Sequence, residues 1–284
     1  MPPHGLGLLR IHIAVVFFGL AGLLGKCIAA PPATIVFVRT ACAAAVLWPI
    51  VVATGRFRVP SRREALAILA AGVILAAHWQ TFFLSVQLST VAIALLTYAS
   101  FPLFVTFLEP LVSRRRLRLR DVATAFAVFV GLALVVPDLG AGGATLRGAL
   151  WGIVSGFTFA LFTLINRTFA PRTAPLILAA GQNSVAALVL LPFLGTGAFD
   201  LGARDWTLLA FLGLAGTALA HLLFMQGLAR VRAHTAAVIA ALEPVYGIAL
   251  AALLIGEIPR AVQLLGGAII VAAAMVSQRS SSLP

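Results

Sequence analysis

The sequence predicts an all-α polytopic membrane protein: ten transmembrane helices in two inverted five-helix repeats, with both termini cytoplasmic. Three observations predict it. The 284-residue chain is 62% hydrophobic and only 10% charged, more apolar than a soluble core of that size requires. Apolar runs near the length of a membrane-crossing helix recur from end to end, and runs such as 92–107 are apolar on every side rather than alternating as a β-barrel strand would. Short matches between the two halves recur at a nearly constant offset.

The expected spans are 10–30, 33–54, 64–87, 90–112, 121–137, 147–169, 174–194, 205–229, 234–256 and 260–277. The connections between them are short. An N-terminal signal peptide, with Arg10 before an apolar stretch and Ala29-Ala30 behind it, is the alternative for the first run. The similar apolar runs that follow argue for a span instead.

A net charge of +12 would suit a nucleic-acid partner. The basic residues are nearly all Arg in short loops, however, which is the pattern of topology signals. Arg10, Arg56, Arg58, Arg62, Arg63, Arg114, Arg115, Arg116, Arg118, Arg120, Arg167, Arg172, Arg230, Arg232 and Arg279 fall on one side. Arg147, Arg204 and Arg260 fall on the other. The heavier side is cytoplasmic by the positive-inside rule. Inner-membrane localisation follows, with the bilayer and a small-molecule substrate as the expected partners and no nucleic acid.

The repeat shows in Ala77-His78 and Ala220-His221, 143 residues apart, and in Pro102 and Pro244, 142 apart. Residues 1–137 and 147–284 are therefore expected to be two copies of one unit. Five spans per copy is odd, so the copies lie in opposite orientations, with a substrate site near the midplane where they meet.

The polar residues inside spans are the candidates for that site. They are His78, Trp79 and Tyr98 in the first half, and Gln182, His221 and Glu243 in the second. Phe17, Phe18, Phe157 and Phe159 add aromatic lining. Such groups in hydrocarbon need partners or a water-filled cavity. Two roles are open for each: lining a cavity, or hydrogen bonding between helices. An aromatic cavity with few fixed charges suits a zwitterion with a variable side chain. Glu243 reads either as a proton or ammonium site or as a structural acid. Pro102 and Pro244, in equivalent spans, read as hinges for alternating access or as static kinks. Lys26 and Arg39 are expected near the outer ends of their spans, attracting a substrate carboxylate at the outer mouth, or else snorkelling to the interface or pairing with Glu257. Glu257 is expected to cap or pair, and Gly266-Gly267 to give close helix packing.

Other chemistry lacks its residues. Asp121, Asp138, Asp200 and Asp205 all lie at span ends or in loops, against a magnesium–diphosphate enzyme. Gly25-Lys26 lacks the rest of a phosphate loop, and Ser155-Gly156 is no nucleophile elbow. Cys27 and Cys42 cannot make a zinc site and read as packing residues. No catalysis, cofactor or metal is expected; an intramembrane serine protease using His78 or His221 is the different-class alternative. With no ATPase element, transport must run on a gradient.

Glu243-Pro244 followed by Gly256-Glu257 resembles the closing motif of the drug/metabolite transporter (DMT) superfamily in its EamA-type branch. Gly19, Arg39 and Pro102 extend the resemblance over the whole chain. It implies two EamA repeats, ten helices and cytoplasmic termini. Where that family ends its fourth span with Gly-Glu, this chain has Ser113-Arg114-Arg115, with Glu109-Pro110 a turn earlier. The resemblance implies transport of amino acids, related metabolites, nucleosides or cationic drugs, often outward. Overall the chain is similar to YddG-type amino acid exporters. Proton-coupled efflux of cations through Glu243 is the alternative within the class.

Overall fold

A computed structural model of the chain describes residues 3–55, 58–113, 119–135, 143–169, 173–228, 239–240 and 242–280. The regular elements among them are helices: α1 (Pro3–Cys27), α2 (Pro32–Ala53), α3 (Arg62–Leu88), α4 (Val91–Tyr98), α5 (Phe101–Ser113), α6 (Leu119–Val135), α7 (Gly143–Phe169), α8 (Pro175–Leu190), α9 (Ala203–Gly213), α10 (Ala220–Leu228), α11 (Glu243–Ile255) and α12 (Ala261–Ser280). A single 3₁₀ turn, Leu191–Phe193, ends α8, and a π-helical stretch, Leu214–Leu219, joins α9 to α10.

Local sequence sets the helix ends. Pro32 and Pro175 open α2 and α8, where a missing N–H costs nothing. Ser61 and Glu64 form a capping box at the start of α3, and Thr90 caps α4 through the Ile93 N–H at 3.1 Å. Gly256, at φ +68°, closes α11 in the left-handed conformation that a side chain disfavours.

Among the described residues, seven helical stretches are long and apolar enough to cross a membrane: Gly5–Cys27, Pro32–Ala53, Arg62–Leu88, Val91–Leu108, Gly143–Asn166, Pro175–Phe193 and Ala203–Gly227. Val122–Val135, Glu243–Ile255 and Ala261–Ala273 are shorter apolar helices. They lie within the expected fifth, ninth and tenth spans; most of the first half of the ninth falls outside the described residues. Phe126, Phe129, Leu188, Leu253 and Leu264 point outward, as lipid-facing side chains do.

The helix contacts are symmetric under exchange of the halves. The third span packs on the sixth (α3 on α7), and the eighth on the first (α10 on α1). The fourth packs on the sixth (α4 on α7), and the ninth on the first (α11 on α1). The pairs α2–α8, α4–α11 and α6–α12 join equivalent spans directly. Two copies of one unit related by a pseudo-two-fold would give such a pattern. Gly19 lets α1 and α11 touch: a Cβ there would lie 2.7 Å from the Gly247 nitrogen. Gly266 packs on the backbone of Gly131 in α6, and Gly267 on Leu96.

Instead of mid-helix kinks, Pro102 and Pro244 mark helix starts. The fourth span breaks at Ala99-Ser100, and α5 begins Phe101-Pro102. In the ninth span, α11 begins Glu243-Pro244 behind a turn at Leu242. Equivalent positions in the two halves thus begin a new half-helix whose second residue is proline, which supplies no N–H to the turn before it.

Candidate functional site

A cavity of about 60 Å³ lies among seven helices, with room for a few water molecules. Its lining comes from both halves. Helix α1 supplies Phe18 and Ala21, α2 Arg39, and α4 Tyr98. Helix α3 supplies Leu75, His78, Trp79 and Phe82, one face of successive turns. From the second half come Phe159 and Phe162 of α7, His221 and Phe224 of α10, and Glu243 at the start of α11.

The wall is aromatic and continuous. The His78 ring centre lies 5.4 Å from that of Tyr98 and 5.0 Å from that of Phe159. Phe159 stacks on Phe162, and Phe162 meets His221 at 6.2 Å. On another side Phe18 meets Phe224 edge-on at 5.7 Å. Such rings give a rigid, largely apolar surface that still interacts with cations through its faces.

The polar groups in this wall are held from behind. His78 Nδ1 lies 3.1 Å from the Ser155 carbonyl oxygen, and the Ser155 hydroxyl donates to the His78 carbonyl at 3.1 Å. An N–H at Nδ1 satisfies that carbonyl and leaves Nε2 as an acceptor. His221 has the opposite arrangement. Asn183 Nδ2 donates to the Ala179 carbonyl at 2.8 Å, which fixes the amide orientation, and faces His221 Nδ1 at 3.4 Å. Nδ1 is then the acceptor, and Nε2 carries the proton. Two histidines at equivalent positions thus offer the cavity one acceptor and one donor.

Ser155 Oγ also lies 2.9 Å from His78 Nδ1. Its reciprocal bonds with His78 clamp α3 to α7, and no carboxylate among the described residues hydrogen-bonds the His78 ring. Ser155 is fully buried and is not part of the cavity lining.

Arg39 and Glu243 are the charged side chains of the cavity. Arg39 is 2% exposed and Glu243 7%. They act on each other electrostatically but make no direct ion pair, and Glu243 also interacts with the Tyr98 hydroxyl. Arg39 neither snorkels nor meets Glu257. It turns inward, with Nε donating to Thr217 Oγ1 at 2.9 Å and Nη2 to the Gly216 carbonyl at 3.3 Å. Lys26 hydrogen-bonds the Val86 and Ser89 carbonyls at the end of α3. Glu257 accepts from the Ala92 N–H at 3.2 Å, capping the start of α4.

The sequence candidates therefore divide. His78, Trp79, Tyr98, Phe18, His221 and Glu243 converge on the cavity. Gln182 lies behind the wall, donating to Asn166 Oδ1 at 2.8 Å. Phe157 is 39% exposed and packs on Phe104 on the outer side of α7. Pro244 stands beside Glu243 at the cavity edge, and the Pro102 backbone follows the α4–α5 break. The side chains of Pro102 and Glu109 lie outside the described residues. Arg39, expected at the outer end of its span, lies in the cavity wall instead, and Ala21, Leu75, Phe82, Phe162 and Phe224 are lining residues that the sequence did not single out.

The EamA-like transporter family profile matches residues 5–136 and again residues 146–278. The chain belongs to the EamA-like transporter family. Within it, an uncharacterized transporter of Bacillus subtilis (strain 168), YxxF, is 28% identical over 267 residues, covering 91% of this chain and 85% of that protein. The uncharacterized inner membrane transporter YicL of Salmonella typhimurium is 25% identical over 201 residues, 69% of this chain and 67% of its own length. A solved crystal structure superposes with a TM-score of 0.66 at 19% identity, covering 98% of this chain and 99% of that one. At that identity the likeness speaks for the fold alone.

Proposed function

We propose that this EamA-type protein is a secondary transporter that exports amino acids or related small metabolites by alternating access around the central cavity. One observation carries the reading: a single aromatic cavity, built by both halves, contains a guanidinium and a carboxylate that are not paired with each other. A zwitterion bears the complementary charges, and the aromatic wall accepts a variable apolar side chain.

The same reading takes residues 1–137 and 147–284 as two inverted repeats, with ten membrane-crossing helices and cytoplasmic termini. The exchange-symmetric contacts and the Arg bias between loops support it. The half-helix starts at Phe101-Pro102 and Glu243-Pro244 are the proposed hinges. Location in a bacterial inner membrane agrees with the name of the relative YicL.

Purified protein in liposomes tests the function. Labelled amino acids should exchange across the membrane without ATP, and absence of flux over a broad amino acid panel would sink the reading. Proton-coupled efflux of cations is the second reading, favoured by Glu243 as the acid in the cavity. Arg39 in the same small space weighs against a substrate bearing only positive charge. Flux of cations driven by a pH gradient and abolished in Glu243→Gln would reverse that preference.

A further inference from the structure

The cavity contains a built anion subsite. We infer that Arg39, positioned by the π-helical stretch at Leu214–Leu219, binds the carboxylate of a zwitterionic or monoanionic substrate. The inference rests on the transport reading for the role of the cavity, and it adds which residue recognises the carboxylate and what holds that residue in place.

A guanidinium in the middle of a helical bundle is costly to bury, so its surroundings show what the chain gains by keeping it. Arg39 is the eighth residue of α2 and is 2% exposed. Its flat face lies over the Trp79 ring, with the guanidinium carbon 4.1 Å from the ring centre, and it lies 5.2 Å from that of Phe83. These contacts set the plane of the fork. Its rotation within that plane is set from α9–α10. There the Thr217 hydroxyl donates to the Leu212 carbonyl, five residues back, at 2.8 Å. Its proton is committed to that bond, so its lone pair must receive the Arg39 Nε–H at 2.9 Å. The Gly216 carbonyl receives Nη2 at 3.3 Å. π-Helical turns widen the bonding ladder and release backbone groups in this way.

Among the described residues, Nε and Nη2 of Arg39 hydrogen-bond Thr217 and Gly216 and its other N–H groups make no further bond, and the residue lines the cavity. A carboxylate in the cavity would meet a planar fork already locked in orientation, the geometry that makes Arg the usual partner of such groups. Glu243 does not satisfy it, because the two side chains make no direct ion pair. Its place at the start of α11 leaves it available to a substrate ammonium instead. Thr217 acts through Arg39 and is a positioning residue.

The test is binding and counterflow with three ligands of one shape: L-phenylalanine, 3-phenylpropionate and 2-phenylethylamine. With wild-type protein, L-phenylalanine should bind best, 3-phenylpropionate next, and the amine about tenfold or more weaker than L-phenylalanine, the usual effect of losing a charge-assisted hydrogen bond. Arg39→Gln should weaken the two carboxylates by that factor and leave the amine unchanged. Thr217→Val should weaken the carboxylates several-fold in apparent KM with kcat retained. The wild-type rank order needs no variant, so the inference stands or falls even if Arg39→Gln does not fold. Amine binding equal to or tighter than carboxylate binding would overturn it, as would equal losses for all three ligands in both variants. Carboxylate-selective binding without flux would support the subsite and sink the transport reading. Flux indifferent to the carboxylate would do the reverse.

Discussion

The guanidinium carbon of Arg39 lies 4.1 Å from the centre of the Trp79 ring. The contact joins a cation on α2 to an aromatic side chain on α3, both at the cavity wall. It makes Trp79 a structural partner of the charge as well as a lining residue. Replacing it with leucine keeps an apolar wall but removes the ring face. The loss expected for such a contact is about 0.5–2 kcal/mol. Trp79→Leu should therefore weaken binding of carboxylate ligands by about two- to thirtyfold and alter amine binding much less. Competition binding with the three phenyl ligands measures it.

The reciprocal bonds between His78 and Ser155 hold α3 against α7. Ser155→Ala removes the hydroxyl and leaves the His78 carbonyl without that donor. The carbonyl keeps the Thr81 hydroxyl at 3.0 Å, so the loss is that of one hydrogen bond, about 0.5–1.5 kcal/mol, and the variant should unfold at a slightly lower temperature in detergent. Amino acid flux should persist, because Ser155 does not reach the cavity. Labelling of Ser155 by a serine-directed covalent probe would instead support the enzyme alternative.

Gly19 and Gly247 bring the backbones of α1 and α11 into contact beside Glu243. A Cβ at Gly19 would lie 3.2 Å from the Glu243 carbonyl oxygen as well as 2.7 Å from the Gly247 nitrogen. Gly19→Val should cost about 1–3 kcal/mol by overpacking and reduce flux by displacing α11. Gly195→Ala, where the added carbon meets nothing within 4 Å, is the control and should change neither. Equal thermal shifts for the two variants would contradict the close-approach argument.

Pro244 withholds an N–H at the start of α11. Pro244→Ala restores it and lets α11 extend backwards through Leu242. If the half-helix start is a hinge, flux should fall while equilibrium binding of L-phenylalanine changes little. A parallel loss of binding and flux would mean that the proline shapes the site rather than its motion.

Much of the fold was legible in the sequence because hydropathy runs and breaks are local. The Pro102 and Pro244 offset marked equivalent positions, though periodicity alone does not separate a kink from a break that leaves Ala99-Ser100 outside both helices. Lining residues of the cavity were legible where a polar group interrupts an apolar run, as at His78, Tyr98, His221 and Glu243. Phe157 and Phe159 show the limit. Both are aromatic residues in the same run, but they stand about 200° apart around a helix. Ser155, Phe159, Phe162 and Asn166 follow the buried face, and Phe157 takes the other. Arg39 was within reach of the same arithmetic: seven residues past Pro32 puts it about 10 Å into the helix, too deep for a simple snorkel. The π-helical stretch that holds it carries no composition of its own, because Leu214–Leu219 reads as ordinary apolar helix.

The central claim is that substrate passes through the cavity between the halves. Ala21 lines it from α1 and is 4% exposed, so Ala21→Phe would fill much of the available space. The decisive measurement is counterflow of labelled L-phenylalanine in liposomes, comparing wild type with monodisperse Ala21→Phe. Wild type should show flux, and the filled cavity should lose at least about tenfold of it, by about the factor that one blocked binding contact gives. Wild-type flux through Ala21→Phe would contradict the central claim.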